Sequence, residues 1–372
     1  MRPFELPQVN KQVGETIMRY IATSFVRTVC LLVALWTLPV FGSQSSLRIV
    51  FSNHSENNSG IHVAGADEGT TERLTKSRFD ILPQWSPNGR TIGFLAIRPA
   101  DEEIAGQYDL SSHWFLYTVD AKGGKPTRVS RTPLAFFQWS PNATQVLFQS
   151  SYEDTRNRQR DGLVSSAVYV MDADGRNQRR LTPVDGTDHF PVWSPSGDRI
   201  AFCSDRFGNL DLFVVTRDGR QLRRITEDAT AQLHPIWSPA GDAIAFASFD
   251  DGRPVGTYVL ELNEKSRARR VSKGRPIAWF PDSKQLLVRS KDGLFMVGVN
   301  RAKFTGVTNE ADQVVGEVAL SPDGRNVIYE AQRDEIAMVY CLDLTTNRRH
   351  PICRIPGGIS GLDVLSHHID QE

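Results

Sequence analysis

Short apolar runs recur along the chain with turn-forming residues between them, and the pattern they make repeats. One copy reads Phe190-Pro191-Val192-Trp193, then Ser194-Pro195-Ser196-Gly197, then Arg199-Ile200-Ala201-Phe202. Ser-Pro-x-Gly fits a type I turn: Ser bonds back to the chain, Pro pre-sets φ and Gly tolerates the exit. The two flanking runs therefore predict the strands of a hairpin. A third run follows at Leu212-Phe213-Val214-Val215, a turn at Asp218-Gly219, and a fourth strand at Arg223-Arg224-Ile225-Thr226. The same order recurs through Val168-Tyr169-Val170-Met171, Asp174-Gly175 and Arg179-Arg180-Leu181-Thr182. Four antiparallel strands per unit make one blade of a β-propeller.

The repeat can be followed from its anchors Trp85, Trp139, Trp193, Trp237 and Trp279, with Leu320 in the last copy. Their spacings are 54, 54, 44, 42 and 41 residues. A period in the forties, with several strands per unit, is the sign of a propeller. Insertions at residues 99–107, acidic, and 152–160, rich in Arg, explain the two long spacings. Both fall between a blade's second and third strands, and so emerge on the face where the first strands begin.

At the N-terminal end, Leu47-Arg48-Ile49-Val50-Phe51-Ser52, Gly60-Ile61-His62-Val63-Ala64 and Glu72-Arg73-Leu74-Thr75 match second, third and fourth strands. Their missing first strand is expected from residues 361–366, where Leu365-Ser366 falls 45 residues after Leu320-Ser321. Such a closure hides sheet edges that would otherwise lie open. The expected fold is all-β, a single propeller of four-stranded antiparallel blades. Seven blades are predicted, with six as the alternative, closed by the N- and C-terminal strands. The repeat tryptophans invite a reading as a stacking platform for sugars or bases. A bulky aromatic at a fixed position of every repeat has a packing task in each, so they are expected between blades as core.

The Trp-Ser-Pro-x-Gly hairpin, the bend Ser204-Asp205-Arg206-Phe207-Gly208-Asn209 and the Arg-Arg-Leu-Thr closing strand resemble the repeat of the TolB-like β-propeller family. The resemblance covers roughly residues 47 to 367. Related repeats occur in propellers attached to prolyl-oligopeptidase-type peptidases and in oligogalacturonate lyases. The likeness implies a periplasmic, non-enzymatic propeller that docks on a protein, in the family's case a peptidoglycan-associated lipoprotein. The family carries an α/β domain ahead of the propeller, and none is expected here, because strands are predicted soon after the leader.

Residues 1–42 read as a signal peptide or N-terminal anchor, and residues 43–372 as the propeller domain. Arg19 and Arg27 precede an apolar run at 29–40, and Pro39-Val40-Phe41-Gly42 offers a breaker and small residues for cleavage after Gly42. The run is shorter than the roughly 20 residues needed to span a bilayer, so no stable membrane insertion is expected after cleavage. Lys and Arg total 43, Asp and Glu 43, and the chain is formally neutral, which argues against a nucleic-acid partner. The paired arginines of the fourth strands are spread round the rim, where they protect sheet edges. Of four cysteines, Cys203, Cys341 and Cys353 lie beyond the leader, and Cys341 and Cys353 flank a turn where a disulfide is conceivable. No G-x-S-x-G elbow, HExxH, P-loop or CxxC occurs.

The remaining candidate chemistry lies just ahead of the repeat tryptophans. His189 and His234 stand just before Trp193 and Trp237, with Asp188 and Gln232 beside them, and Asp80 holds the position equivalent to Asp188, five residues before its Trp85. These five are expected at the mouth of the central channel, as partner-binding residues. The main expectation is a monomeric exported protein that binds a protein partner and needs no cofactor or metal. The alternative is a polysaccharide lyase or glycan-binding propeller, in which the same oxygen and imidazole donors hold a divalent cation.

Overall fold

The computed structural model describes residues 47–55, 57–65, 71–98, 114–151, 166–263, 267–300, 303–308, 313–333, 336–354 and 359–366. The expected leader and both insertions lie outside the described residues. Among those described there is no helix, and the strands form seven four-stranded antiparallel sheets. The protein is a seven-bladed propeller rather than the six-bladed alternative.

Blade one joins the two ends of the chain. Its strands lie in the order β28 (Ile359–Ser366), β1 (Leu47–Asn53), β2 (Gly60–Gly65) and β3 (Thr71–Arg73). Blades two to seven each take four consecutive strands, beginning with β4 (Ile81–Trp85), β8 (Phe136–Trp139), β12 (Asp188–Trp193), β16 (Ala231–Trp237), β20 (Arg275–Trp279) and β24 (Gln313–Leu320). In blade one Val364 lies opposite Ile49, as Trp85 lies opposite Ile92 and Leu320 opposite Val327. Val364, not Leu365, therefore holds the anchor position of the closing strand.

The repeat residues act as their turn chemistry dictates. The amide of Gly89 donates to the Ser86 carbonyl at 2.8 Å, and Gly197, Gly241 and Gly324 make the same bond to their serines at 2.8–2.9 Å. These four glycines have φ between +69° and +72°, the left-handed step by which the chain leaves the type I turn. Each serine hydroxyl also accepts the first amide of the second strand, from Thr91, Gln145, Arg199, Ala243 and Asn326 at 2.8–3.0 Å. The closing motif has a matching task. The hydroxyls of Thr75, Ser130, Thr182, Thr226 and Thr308 accept the amides of Ile61, Leu116, Val168, Leu212 and Leu294 at 2.8–3.1 Å. Each ties its blade's outer strand to the start of the third. The arginines of the same motif bond within the fold: Arg180 Nε donates to the Thr182 carbonyl at 2.7 Å, and Arg179 reaches the Arg217 carbonyl of the next blade at 2.8 Å.

Seven apolar clusters fill the spaces between neighbouring blades. Trp237 packs with Phe190, Val192 and Leu212 of blade four, and Trp279 with Ile236, Ala245 and Val259 of blade five. The five repeat tryptophans are all buried, so they are core, as the repeat implies. Polar links between inner strands supplement this packing. Gln84 Nε2 donates to the Phe137 carbonyl at 3.0 Å, and Gln138 Oε1 accepts the Trp193 amide at 2.8 Å. At the next two junctions the indole takes over: Trp237 Nε1 donates to the Val192 carbonyl at 3.3 Å and Trp279 Nε1 to the Ile236 carbonyl at 3.1 Å. Cys203, Cys341 and Cys353 form no disulfide with one another, and Cys341 lies opposite His350 and Cys353 opposite Val339.

Candidate functional site

The inner strands all begin on one face of the disc, and the bends between second and third strands emerge there too. Asp80, Asp188 and Gln232 occupy equivalent places on it, yet all three are fully buried. Asp80 Oδ1 pairs with Arg98 at 2.5 Å, and Asp188 Oδ1 with Arg206 at 2.8 Å. In each case the arginine lies 18 residues downstream, just past its blade's second strand. Gln232 Oε1 accepts the Thr226 hydroxyl at 2.9 Å, and its amide donates to the Thr230 carbonyl. These side chains anchor the loops of this face from below instead of presenting themselves to solvent. Burial pushes the Asp188 carboxyl above the usual carboxylate range, and Arg206 offsets part of that rise.

Three inner strands carry an irregularity next to these residues. The register shifts between Ile81 and Gln84, between His189 and Val192, and between Leu233 and Ile236. At each bulge one non-glycine residue is left-handed: Leu82 at φ +54°, Phe190 at +51° and His234 at +55°. This conformation costs on the order of 1 kcal/mol or more per residue, so the surrounding packing must hold it. The bulges place the Phe190 ring against His234, with centroids 4.3 Å apart, while His189 Nδ1 lies 3.2 Å from Gln149 Nε2. Burial lowers the His189 pKa to about 4 and that of His234 to about 3, the latter helped by Arg275. Both imidazoles are neutral at neutral pH. The five candidates do not converge, since blade three separates Asp80 from Asp188 and Phe190 stands between the histidines. No group of three His, Cys, Asp or Glu side chains suited to a metal ion occurs among the described residues.

Other charged residues of the first and second strands escaped the sequence reading. Arg289 crosses from blade six to blade seven and donates to the carbonyls of Gly316 at 2.6 Å and Val314 at 2.7 Å. Glu317 and Glu330 are buried in blade seven and favour its charged form, against burial and the neighbouring Arg275. A Cβ on Gly316 would lie 1.6 Å from Glu330 Oε2, so a larger residue there requires the Glu330 side chain to shift. Asp363 of the closing strand is the second omission. Its Oδ2 accepts the Trp85 amide at 2.7 Å, and burial pushes its pKa up to about 7.

The surface of this face is apolar in places. Of the large hydrophobics exposed among the described residues, Phe79 (45%), Val184 (53%), Phe207 (65%) and Val315 (45%) all stand on it. The fifth, Phe304, lies on an outer strand. Phe207 is not a loose side chain: it stacks on Phe213 at 6.0 Å and lies beneath the Arg224 guanidinium at 5.0 Å.

Comparison with known proteins gives the family. The sequence profile of the TolB beta propeller domain matches residues 105–361. A TolB homolog of Chlorobium luteolum is 26% identical over 175 residues, and the Tol-Pal system protein TolB of Bordetella pertussis is 27% identical over 170. These matches cover 47% and 45% of this chain but 34% of each relative, so the chain spans about a third of the length of these two relatives. Oligogalacturonate lyase from Vibrio parahaemolyticus has a similar fold, with a TM-score of 0.57 at 12% identity over 84% of this chain and 97% of that one. With the profile covering more than half its length, this chain belongs to the TolB beta propeller domain family.

Proposed function

We propose that this protein is an exported, non-enzymatic propeller that binds a protein partner in the cell envelope. The observation that carries the reading is the placement of Phe79, Val184, Phe207 and Val315 on one face. Large apolar side chains exposed on one face, with Val184 and Phe207 together over blade four, mark an interaction surface. The buried Asp80, Asp188 and Gln232 support the loops from which that surface is built. Membership of the TolB family supports a periplasmic location, and the Tol-Pal name of the Bordetella relative supports a peptidoglycan-associated lipoprotein as the partner. The alternative, a glycan-acting lyase, rests on the shared fold of the Vibrio enzyme alone.

The test is to express the full chain with a C-terminal tag in a native periplasm, then analyse what co-purifies together with bound metal. Retention of an envelope lipoprotein by the wild type, and its loss in the Val184→Ser/Phe207→Ser variant, supports the adaptor. Stoichiometric divalent metal or bound glycan, with no protein retained, moves the lyase to first place.

A further inference from the structure

The chain is formally neutral, yet the face that carries the exposed apolar residues is divided by charge. Over blades four and five, six exposed carboxylates (Asp185, Asp205, Glu227, Asp228, Asp250 and Asp251) stand against the exposed Arg253 and Arg270, while the guanidiniums of Arg206 and Arg224 pair with the buried Asp188 and Asp211 beneath them. The described loops leading into blades two, three and six carry instead Lys76, Arg78, Arg131 and Lys273, and the bend of blade six carries Lys291 beside Asp292.

The loops of the acidic arc form one continuous, held surface. Asp205 Oδ1 accepts the Thr187 amide at 2.6 Å and Arg206 pairs with Asp185 at 3.2 Å, which ties residues 183–187 to the bend of blade four. A Cβ on Gly186 would lie 2.7 Å from the Arg206 Cβ, so the two loops touch at backbone distance. Asn209 Nδ2 then donates to the carbonyls of Asp228 at 2.9 Å and Thr230 at 3.0 Å, joining that bend to the loop before blade five. Val184 and Phe207 project from this surface amid exposed Asp185, Asp205, Glu227 and Asp228.

We infer that the arc over blades four and five docks a basic segment of the partner that also carries apolar side chains. This deepens, and rests on, the adaptor reading. Rigid apolar residues supply the anchors, because little conformational freedom is lost when they are covered. The surrounding carboxylates steer and select a cationic segment while repelling an acidic one. An apolar contact alone would not explain the charge segregation, and charge alone would leave Phe207 and Val184 exposed to water without purpose.

The experiment uses the full-length protein and three short synthetic peptides with alternating residues: lysine–leucine, lysine–serine and glutamate–leucine. Binding is followed by fluorescence anisotropy. The lysine–leucine peptide is expected to bind, more weakly as salt is raised toward about 0.3 M, where charges are screened within a few ångströms. Val184→Ser/Phe207→Ser and Glu227→Lys/Asp228→Lys are each expected to weaken it by roughly tenfold or more, as loss of an anchor or a charge reversal does. Unchanged melting temperatures show that these surface variants remain folded. Equal binding of the lysine–serine peptide, equal binding of the glutamate–leucine peptide, or variants that bind like wild type would each overturn the inference. If the tagged wild type retains an envelope protein and the arc variants retain it equally, the inference falls while the adaptor reading stands. If the wild type retains none, both fall.

Discussion

The Asp363 carboxylate accepts the backbone amide of Trp85 at 2.7 Å, so the last strand of the chain is fastened to the first complete blade. Gln138 makes the equivalent bond to Trp193 with a neutral amide oxygen. At the closure the same link is ionisable.

That difference has a pH dependence with a definite sign. The folded pKa of Asp363 is about 7 because burial outweighs its two backbone hydrogen bonds, whereas an unfolded Asp titrates near 3.9. Between those values the folded state binds the extra proton. The contribution is fully present below about pH 4 and is lost as pH rises through about 7. Asp363→Asn keeps an acceptor and removes the titration. Its melting temperature is expected to exceed that of wild type by a few degrees near pH 8, with the gap closing near pH 4.

The histidines act in the opposite direction. With folded pKa values of about 4 and 3, His189 and His234 stay neutral while unfolded histidines protonate below about 6.5. Their contribution is present at neutral pH and is lost as pH falls from about 6.5 through those values. In NMR titrations, neither ring is expected to change protonation between about pH 5.5 and about pH 8.

Two classes of repeat tryptophan are distinguishable by substitution. Trp237 and Trp279 donate their indole N–H to the preceding blade, whereas Trp193 Nε1 has no protein partner. Trp237→Phe and Trp279→Phe are expected to cost about 1 kcal/mol more than Trp193→Phe, the worth of one buried hydrogen bond. Denaturant unfolding measures the difference.

Arg289 holds blades six and seven together. Arg289→Met removes two bonds to β24 carbonyls and a cation beside Glu317 and Glu330. Leaving buried carboxylates short of a partner typically costs about 3–5 kcal/mol. Thermal unfolding of Arg289→Met is expected to show a large loss, with Arg289→Lys intermediate because its point charge lacks the forked geometry.

The propeller was legible because its turns depend on local chemistry. Ser194, Pro195 and Gly197 announce a turn whatever surrounds them, and their spacing counts the blades. Closure by the C-terminal strand was legible for the same reason, although its anchor is Val364 and not Leu365. The equivalence of Asp80, Asp188 and Gln232 was also visible, as a constant distance from each tryptophan. Their burial was not, because spacing gives register but not what covers a side chain. A signal was nonetheless present: Arg98 and Arg206 each follow their aspartate by the same interval. Arg289, Glu317 and Glu330 left no such trace, since their contacts cross between blades and obey no local pattern.

The most direct test of the docking face is site-specific photocross-linking in the periplasm of living cells. A photoreactive residue is placed in turn at Val184, at Phe207 and at Arg220, which is exposed on the opposite face. Cross-links to a single envelope lipoprotein from Val184 and Phe207, and none from Arg220, are the expected result. Cross-links from Arg220 alone, or none from any site while the protein is folded and exported, would contradict a partner docked on this face.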